Sequence, residues 1–217
     1  MEFFHVLNRG VDKRKIALDD YDRSRFIHDL FAFNDTKSSA NFLHHVRQQS
    51  RRPRKLLVYI HAFCLMQNHY HLLLSEVQRN GIPLFMKKLN MGYSKYFNKK
   101  YERTGALWQG KYKKVHIARD AHFMYIPYYI HLNPLDASMP QWREGKIRHP
   151  AAALRLLREY RWSSHLDYLG VKNFPSLTQR DVIGEVLGPP AAYEKEIVKI
   201  IKDPSIAIAA KSSLLLE

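Results

Sequence analysis

The stretch from Lys55 to Glu76 limits the fold more than any other part of the chain. Two apolar runs, KLLVYIHAFCLM and HYHLLLSE, are separated only by Gln67-Asn68. Runs of this length, rich in branched and aromatic residues and joined by a tight polar break, predict a hairpin of two central strands. A lone hairpin is marginal in water, so flanking elements must complete a sheet and a core. Phe3 to Asn8 predicts a first strand ending at the Asn8-Arg9-Gly10 turn. Asp19 and Asp20 stand where an N-cap belongs, ahead of Phe26, Ile27, Leu30 and Phe31 at helical spacing. Ile82, Phe85, Met86, Leu89, Tyr93, Tyr96 and Phe97 repeat the helical period up to Lys100, and Tyr112 to Ala118 predicts a fourth strand. The order is strand, helix, strand, strand, helix, strand. It predicts an α+β fold of the ferredoxin-like βαββαβ type: one antiparallel sheet, helices on one face, and the other face left free for function.

Beyond the sheet, Asp120 to Asn133 predicts a further helix ended by Pro134, with Pro127 expected to kink it or to mark a late start. Helical patterns follow at about 150–160, 177–187 and 190–202. This divides the chain into a sheet-bearing domain over residues 1–138 and a small helical C-terminal extension over 139–217. Asn34 to Lys55 reads as a loop whose second half is basic, and there is no internal repeat.

Charge narrows the partner. The 217 residues hold 35 Lys plus Arg against 20 Asp plus Glu, a net +15. Residues 1–138 carry 23 basic and 11 acidic side chains, so the field belongs to the first part. Such an excess points to a polyanion, with nucleic acid the first suspect. Candidate phosphate contacts are Arg9 at the first turn, Arg51, Arg52 and Arg54 in the loop, Lys95 and Lys99 on the second helix, and Lys111, Lys113 and Lys114 around the fourth strand. Trp108 and Gln109 are candidates for stacking on and hydrogen bonding to a base, although a Trp after a Gly turn is as often a core anchor. Cys64 is the single cysteine, which excludes an internal disulfide framework and a Cys-rich zinc site. No stretch approaches a membrane span, and the start lacks the pattern of a signal peptide, so a cytoplasmic protein is expected. The chain opens almost directly into its first strand, as a clipped N-terminus would.

The chemistry gathers at two places. His69 and His71 are two apart on a strand, so both imidazoles point to one face and Tyr70 and Leu72 to the other. Alone, such a pair is more often packed than ligating. Tyr125, Tyr129 and Asn133 are spaced by four, which stacks phenols and an amide along one helix face, about 6 Å apart at their Cβ atoms. Two imidazoles and an amide oxygen would make an open N/O site suited to Mg²⁺ or Mn²⁺. Ordinary aromatic packing is the competing account of the tyrosines.

The hairpin Leu65-Met66-Gln67-Asn68-His69-Tyr70-His71-Leu72-Leu73-Leu74 resembles the His-hydrophobic-His motif of the single-tyrosine HUH endonucleases, specifically the insertion-sequence-200-like transposases and their REP-associated tyrosine transposase branch. Asn8-Arg9-Gly10-Val11, the run Gly105 to Tyr112, Tyr129-Ile130-His131-Leu132-Asn133-Pro134 and Tyr160-Arg161-Trp162-Ser163-Ser164 are similar to that branch in type and order, over about residues 4–170. The resemblance implies cleavage and rejoining of single-stranded DNA at hairpin-forming repeats through a 5′-phosphotyrosine. It assigns His69 and His71 as metal ligands, Tyr129 as nucleophile and Asn133 as the third metal-side residue, with Tyr128 the neighbouring phenol a mutant test must exclude. It also implies a possible homodimer, and neither a nucleotide cofactor nor a membrane. The alternatives that remain open are a ferredoxin-like nucleic-acid-binding module, a metal-independent RNA endonuclease using His69 or His71 as acid and base, and a domesticated, inactive relative that only binds hairpins.

Overall fold

The computed structural model describes residues 1–37, 53–203 and 205–206. The expected order is present: β1 (Phe3–Arg9), α1 (Asp20–Ala32), β2 (Val58–Leu65), β3 (His69–Glu76), α2 (Gly81–Lys100) and β4 (Lys113–His116). After it come α3 (Asp120–Leu132), α4 (Pro150–Glu159), α5 (His165–Tyr168), α6 (Asp181–Leu187) and α7 (Pro190–Lys202), with short 3-10 turns at Asn133–Ala137 and Pro140–Glu144. The four strands form one antiparallel sheet in the order β2-β3-β1-β4. This is the split-βαβ order, with the two functional candidates of β3 on an inner strand.

The first face is covered by α1 and α2. Val6, Phe63, Tyr70, Leu72 and Leu74 from the sheet pack with Phe26, Leu30, Phe85, Leu89 and Tyr93 from the helices. Asp19 caps α1, its carboxylate accepting from the Asp22 N–H at 2.8 Å. Asp22 itself ties the helices together: its buried carboxylate accepts from Lys100 Nζ, the Tyr96 hydroxyl and the Tyr101 hydroxyl, each at 2.7 Å. Burial alone would raise that carboxyl, but Lys100, Tyr101 and Tyr96 outweigh it and hold it below its ordinary value.

The second face is not left free, as the six-element pattern alone had predicted. The helix α3 lies across it, and α4, α6 and α7 close over α3, so that Ala62, Cys64 and Leu73 of the sheet share a second core with Ile126, Ile130, Leu157, Ile183, Tyr193 and Ile197. The physical reason lies in the strands: their second-face residues are themselves apolar and need covering, as do the apolar faces of the C-terminal helices. Nor is α3 broken at Pro127; it runs continuously from Asp120 to Leu132. Proline forfeits one helical hydrogen bond there, and packing on both sides outweighs the loss. Among the described residues no helix is long and apolar enough to cross a membrane. Arg51 and Arg52, in the basic half of the Asn34 to Lys55 loop, lie outside the described residues.

Candidate active site

Strand pairing decides what shares a face with the two histidines. In the antiparallel register Arg9 lies opposite His69, Leu7 opposite His71 and His5 opposite Leu73. Residues directly opposite point the same way, so β1 delivers His5, Leu7 and Arg9 to the histidine face. The His69 and His71 rings are 4.9 Å apart at their centroids and nearly perpendicular. The Nδ1 atom of His69 lies 2.6 Å from Asn68 Oδ1, while the other end of that amide donates to the Lys13 carbonyl. A carboxamide oxygen only accepts, so a neutral His69 carries its proton on Nδ1 and its lone pair on Nε2. His71 is fully buried, its Nδ1 2.9 Å from His5 Nε2 and its own Nε2 without a hydrogen-bond partner. Burial, with His5 and His69 beside it, pushes the His71 pKa well below its ordinary value, so the ring is neutral.

The helix α3 supplies the other half. Tyr129 stands edge-on to both β-strand imidazoles, its ring centroid 5.7 Å from that of His71 and 5.9 Å from that of His5. Tyr125 is one turn earlier at 6.5 Å, so the spacing of four survives Pro127. Asn133, at the end of the helix, donates to the Tyr129 carbonyl at 2.7 Å. Tyr128 points elsewhere: it stacks on Tyr193 at 5.5 Å, and burial raises its pKa to about 12.

Two members of this cluster were not legible in the sequence. His5 is one; strand alternation in β1 could have found it, but only with the pairing register in hand. Arg143 is the other, and nothing local marked it. The turn after Pro140 lays its guanidinium 5.0 Å over the Tyr129 ring and within hydrogen-bond reach of the Tyr129 side chain. Two further bonds fix it to Asp136 at 2.6 and 2.9 Å, and a longer one at 3.3 Å reaches Asn133 Oδ1. Burial would lower its pKa, but Asp136 and Tyr129 more than offset this, so it stays charged.

The basic candidates divide. Arg9, Gln109, Lys111 and Lys113 line one cleft of about 270 Å³ with Leu7 and Asn8, next to His69 on the histidine face. Lys114 alternates to the other face, its ammonium 4.5 Å over the Phe4 ring. Lys95 and Lys99 ride on α2, in the layer beyond the sheet from the histidines. Arg54 stacks at 3.7 Å on Phe31 and donates to the Phe31 and Asn34 carbonyls, bracing the end of α1. Trp108 is 9% exposed, packed on Tyr70, with its indole N–H donated to the Asn90 carbonyl, so it anchors the first core.

Among the described residues no three His, Cys, Asp or Glu side chains are grouped to hold a metal. What meets on the histidine face is His69, His71 and Tyr129, while the Asn133 amide is engaged by the Tyr129 carbonyl and by Arg143. The whole is an α+β sheet whose inner strand presents a His-x-His pair to a helix-borne phenol.

Comparison with known proteins returned one family model and a solved structure. Residues 41–133 match the family model described as transposase IS200 like. That span takes in β2, β3, α2, β4 and α3 and ends on Asn133, so it holds both histidines and Tyr129. A solved structure described as "Structure of the REP associates tyrosine transposase bound to a REP hairpin" is similar at 14% identity and a TM-score of 0.45, covering 83% of this chain and 86% of that one. No curated protein matches the chain.

Proposed function

We propose that this chain is a metal-dependent single-stranded DNA endonuclease and strand transferase of the IS200-like transposase type, acting in the cytoplasm at hairpin-forming repeats. The observation that carries the reading is the edge-on approach of Tyr129 to His71 at 5.7 Å, within a segment that matches the transposase family. Residues 1–138 carry the nucleophile and the histidines, while 139–217 hold α3 against the sheet and add Arg143 beside the phenol. Both halves of the site come from one chain, so a homodimer would not be needed to assemble it.

The residues fit a divalent cation. His71 offers a buried Nε2 with no hydrogen-bond partner among the described residues, His69 has its proton held on the far nitrogen, and Asn133, whose Oδ1 also accepts from Arg143 at 3.3 Å, would be the third ligand. Such a set suits Mg²⁺ or Mn²⁺ with positions left for substrate oxygens, and a bound cation would polarise the scissile phosphate. The phenolic oxygen of Tyr129 forms the new bond to phosphorus while the bond from phosphorus to the 3′ oxygen breaks. The phenol gives up a proton and the departing 3′ oxygen takes one up, leaving a 5′-phosphotyrosine and a 3′-hydroxyl. The reverse attack rejoins DNA without ATP, because the phosphodiester count is unchanged. Arg143, charged and beside the phenol, favours negative charge at that oxygen as it attacks. The cleft lined by Arg9, Lys111 and Lys113 leads the phosphate backbone toward His69, with Gln109 placed to meet a base.

A labelled single-stranded oligonucleotide with a hairpin should remain covalently attached to the protein on a denaturing gel when Mn²⁺ or Mg²⁺ is present. Tyr129→Phe should abolish the adduct and Tyr128→Phe should retain it. An adduct that persists in Tyr129→Phe moves the nucleophile elsewhere, and hairpin binding without any adduct favours the inactive binder.

A further inference from the structure

We propose that His5 is a positioning residue that fixes the ring orientation and tautomer of His71, doing for that ligand what Asn68 does for His69. The inference rests on the reading of His71 as a metal ligand.

A histidine that binds a metal through one nitrogen must present a lone pair there, which places its proton on the other, and that proton needs an acceptor. For His69 the acceptor is Asn68 Oδ1 at 2.6 Å. For His71 the second nitrogen, Nδ1, is buried and meets a single hydrogen-bonding partner, His5 Nε2 at 2.9 Å, with the two rings stacked at an interplanar angle of 16°. Both rings are buried and neutral, so one must donate and the other accept. Each arrangement leaves one buried N–H without an acceptor among the described residues, His71 Nε2 if His5 donates and His5 Nδ1 if His71 donates, so the protein alone does not choose between them. If His71 donates, its Nε2 becomes a bare lone pair, which is what an ion requires. Binding of a cation therefore selects the second arrangement, and His5 completes it by holding its own proton on Nδ1. The pleat explains why His5 can do this: it lies one pair along from Leu7, which faces His71, on the same side of the sheet.

The test has two parts. In the Mg²⁺-loaded protein, long-range ¹H–¹⁵N spectra of the histidine rings should show His71 protonated on Nδ1. A proton on Nε2 would overturn the assignment without any variant being made. Separately, Mn²⁺ affinity is measured by calorimetry for the unaltered protein, His5→Phe, His5→Gln and His71→Ala, with thermal melting as the check on folding. His5→Phe keeps the ring but removes the acceptor, and should weaken binding about 10- to 100-fold. His5→Gln supplies a carbonyl oxygen and should recover most of that loss. Unchanged affinity in His5→Phe, with His71→Ala much weakened, would sink the role of His5 alone. Full affinity in His71→Ala would instead remove the metal reading of His71, and this inference with it.

Discussion

Tyr193→Phe removes one oxygen atom and should destabilise the protein more than most core substitutions. The Tyr193 hydroxyl is buried in α7 between two imidazoles, 2.7 Å from His131 Nδ1 on α3 and 2.8 Å from His165 Nδ1 on α5. His131 continues through Nε2 to the Ser164 hydroxyl at 2.7 Å, and that hydroxyl accepts from the Phe63 N–H of β2 at 2.9 Å. A hydroxyl can donate to one ring nitrogen while accepting from the other, so both are satisfied at once. Phenylalanine preserves the ring packing against Tyr128 and Tyr168 but leaves a lone pair and an N–H buried and unpaired. Each such group costs about 1–3 kcal/mol, so the loss from the two should be about 2–6 kcal/mol. For a chain of this size 1 kcal/mol corresponds to about 2–4 °C, which puts the fall in Tm at roughly 4–24 °C. Scanning calorimetry at pH 7.5 measures it, with exposed Tyr21→Phe as the near-neutral control. A fall of under about 2 °C would refute the reasoning, because it would mean the two imidazoles find other partners or water once the hydroxyl is gone.

Two other outcomes follow from buried groups. Burial pulls the pKa of His61 and of His165 down to about 4 from 6.5. The unfolded chain therefore takes up protons at these positions first as pH falls, so their contribution is intact above pH 6.5 and is lost between there and about pH 4, at about 1.4 kcal/mol per pH unit for each. Urea midpoints measured from pH 7 down to pH 4.5 should fall accordingly, and His61→Phe should flatten the slope; a midpoint independent of pH would contradict it. Gly81 opens α2, and a Cβ there would lie 2.1 Å from the backbone oxygen of Leu57. That atom cannot swing aside as a side chain does, so Gly81→Ala should cost about 1–3 kcal/mol despite alanine's better helix propensity, as chemical denaturation will show. An alanine variant as stable as the parent would mean that the start of α2 shifts freely.

The strands and helices of the βαββαβ order were legible because each carries its own local signal: two apolar runs around a tight break in the hairpin, the apolar stripe of α2, the acidic cap ahead of α1. The extent of α3 was read correctly, but its course through Pro127 was not, since a local rule about proline knows nothing of packing on both sides of the helix. The covered second face was missed for a related reason. The sequence shows that Leu73 and Ala62 are apolar but not that residues almost a hundred positions later return to meet them. At the candidate site, His69 with His71 and Tyr129 with Asn133 each stand at a short spacing, and only the family resemblance joined the two pairs. His5 and Arg143 depend on strand register and on the course of a turn, neither of which has a local sequence signal. The lysines show the same limit from the other side: Lys113 and Lys114 are adjacent in sequence, and the pleat sends them to opposite faces.

The phenol of Tyr129 is 5% exposed, wedged among His5, His71, Trp142 and Arg143. A side chain so confined has surrendered its rotamer freedom during folding rather than on meeting a ligand. Should the proposed chemistry occur here, the effective concentration of the nucleophile is set by the hydrophobic C-terminal helices that hold α3 down, which makes residues far from any phosphate determinants of rate. Loosening that clamp, even at a position touching nothing reactive, should therefore register as slower chemistry before it registers as loss of fold.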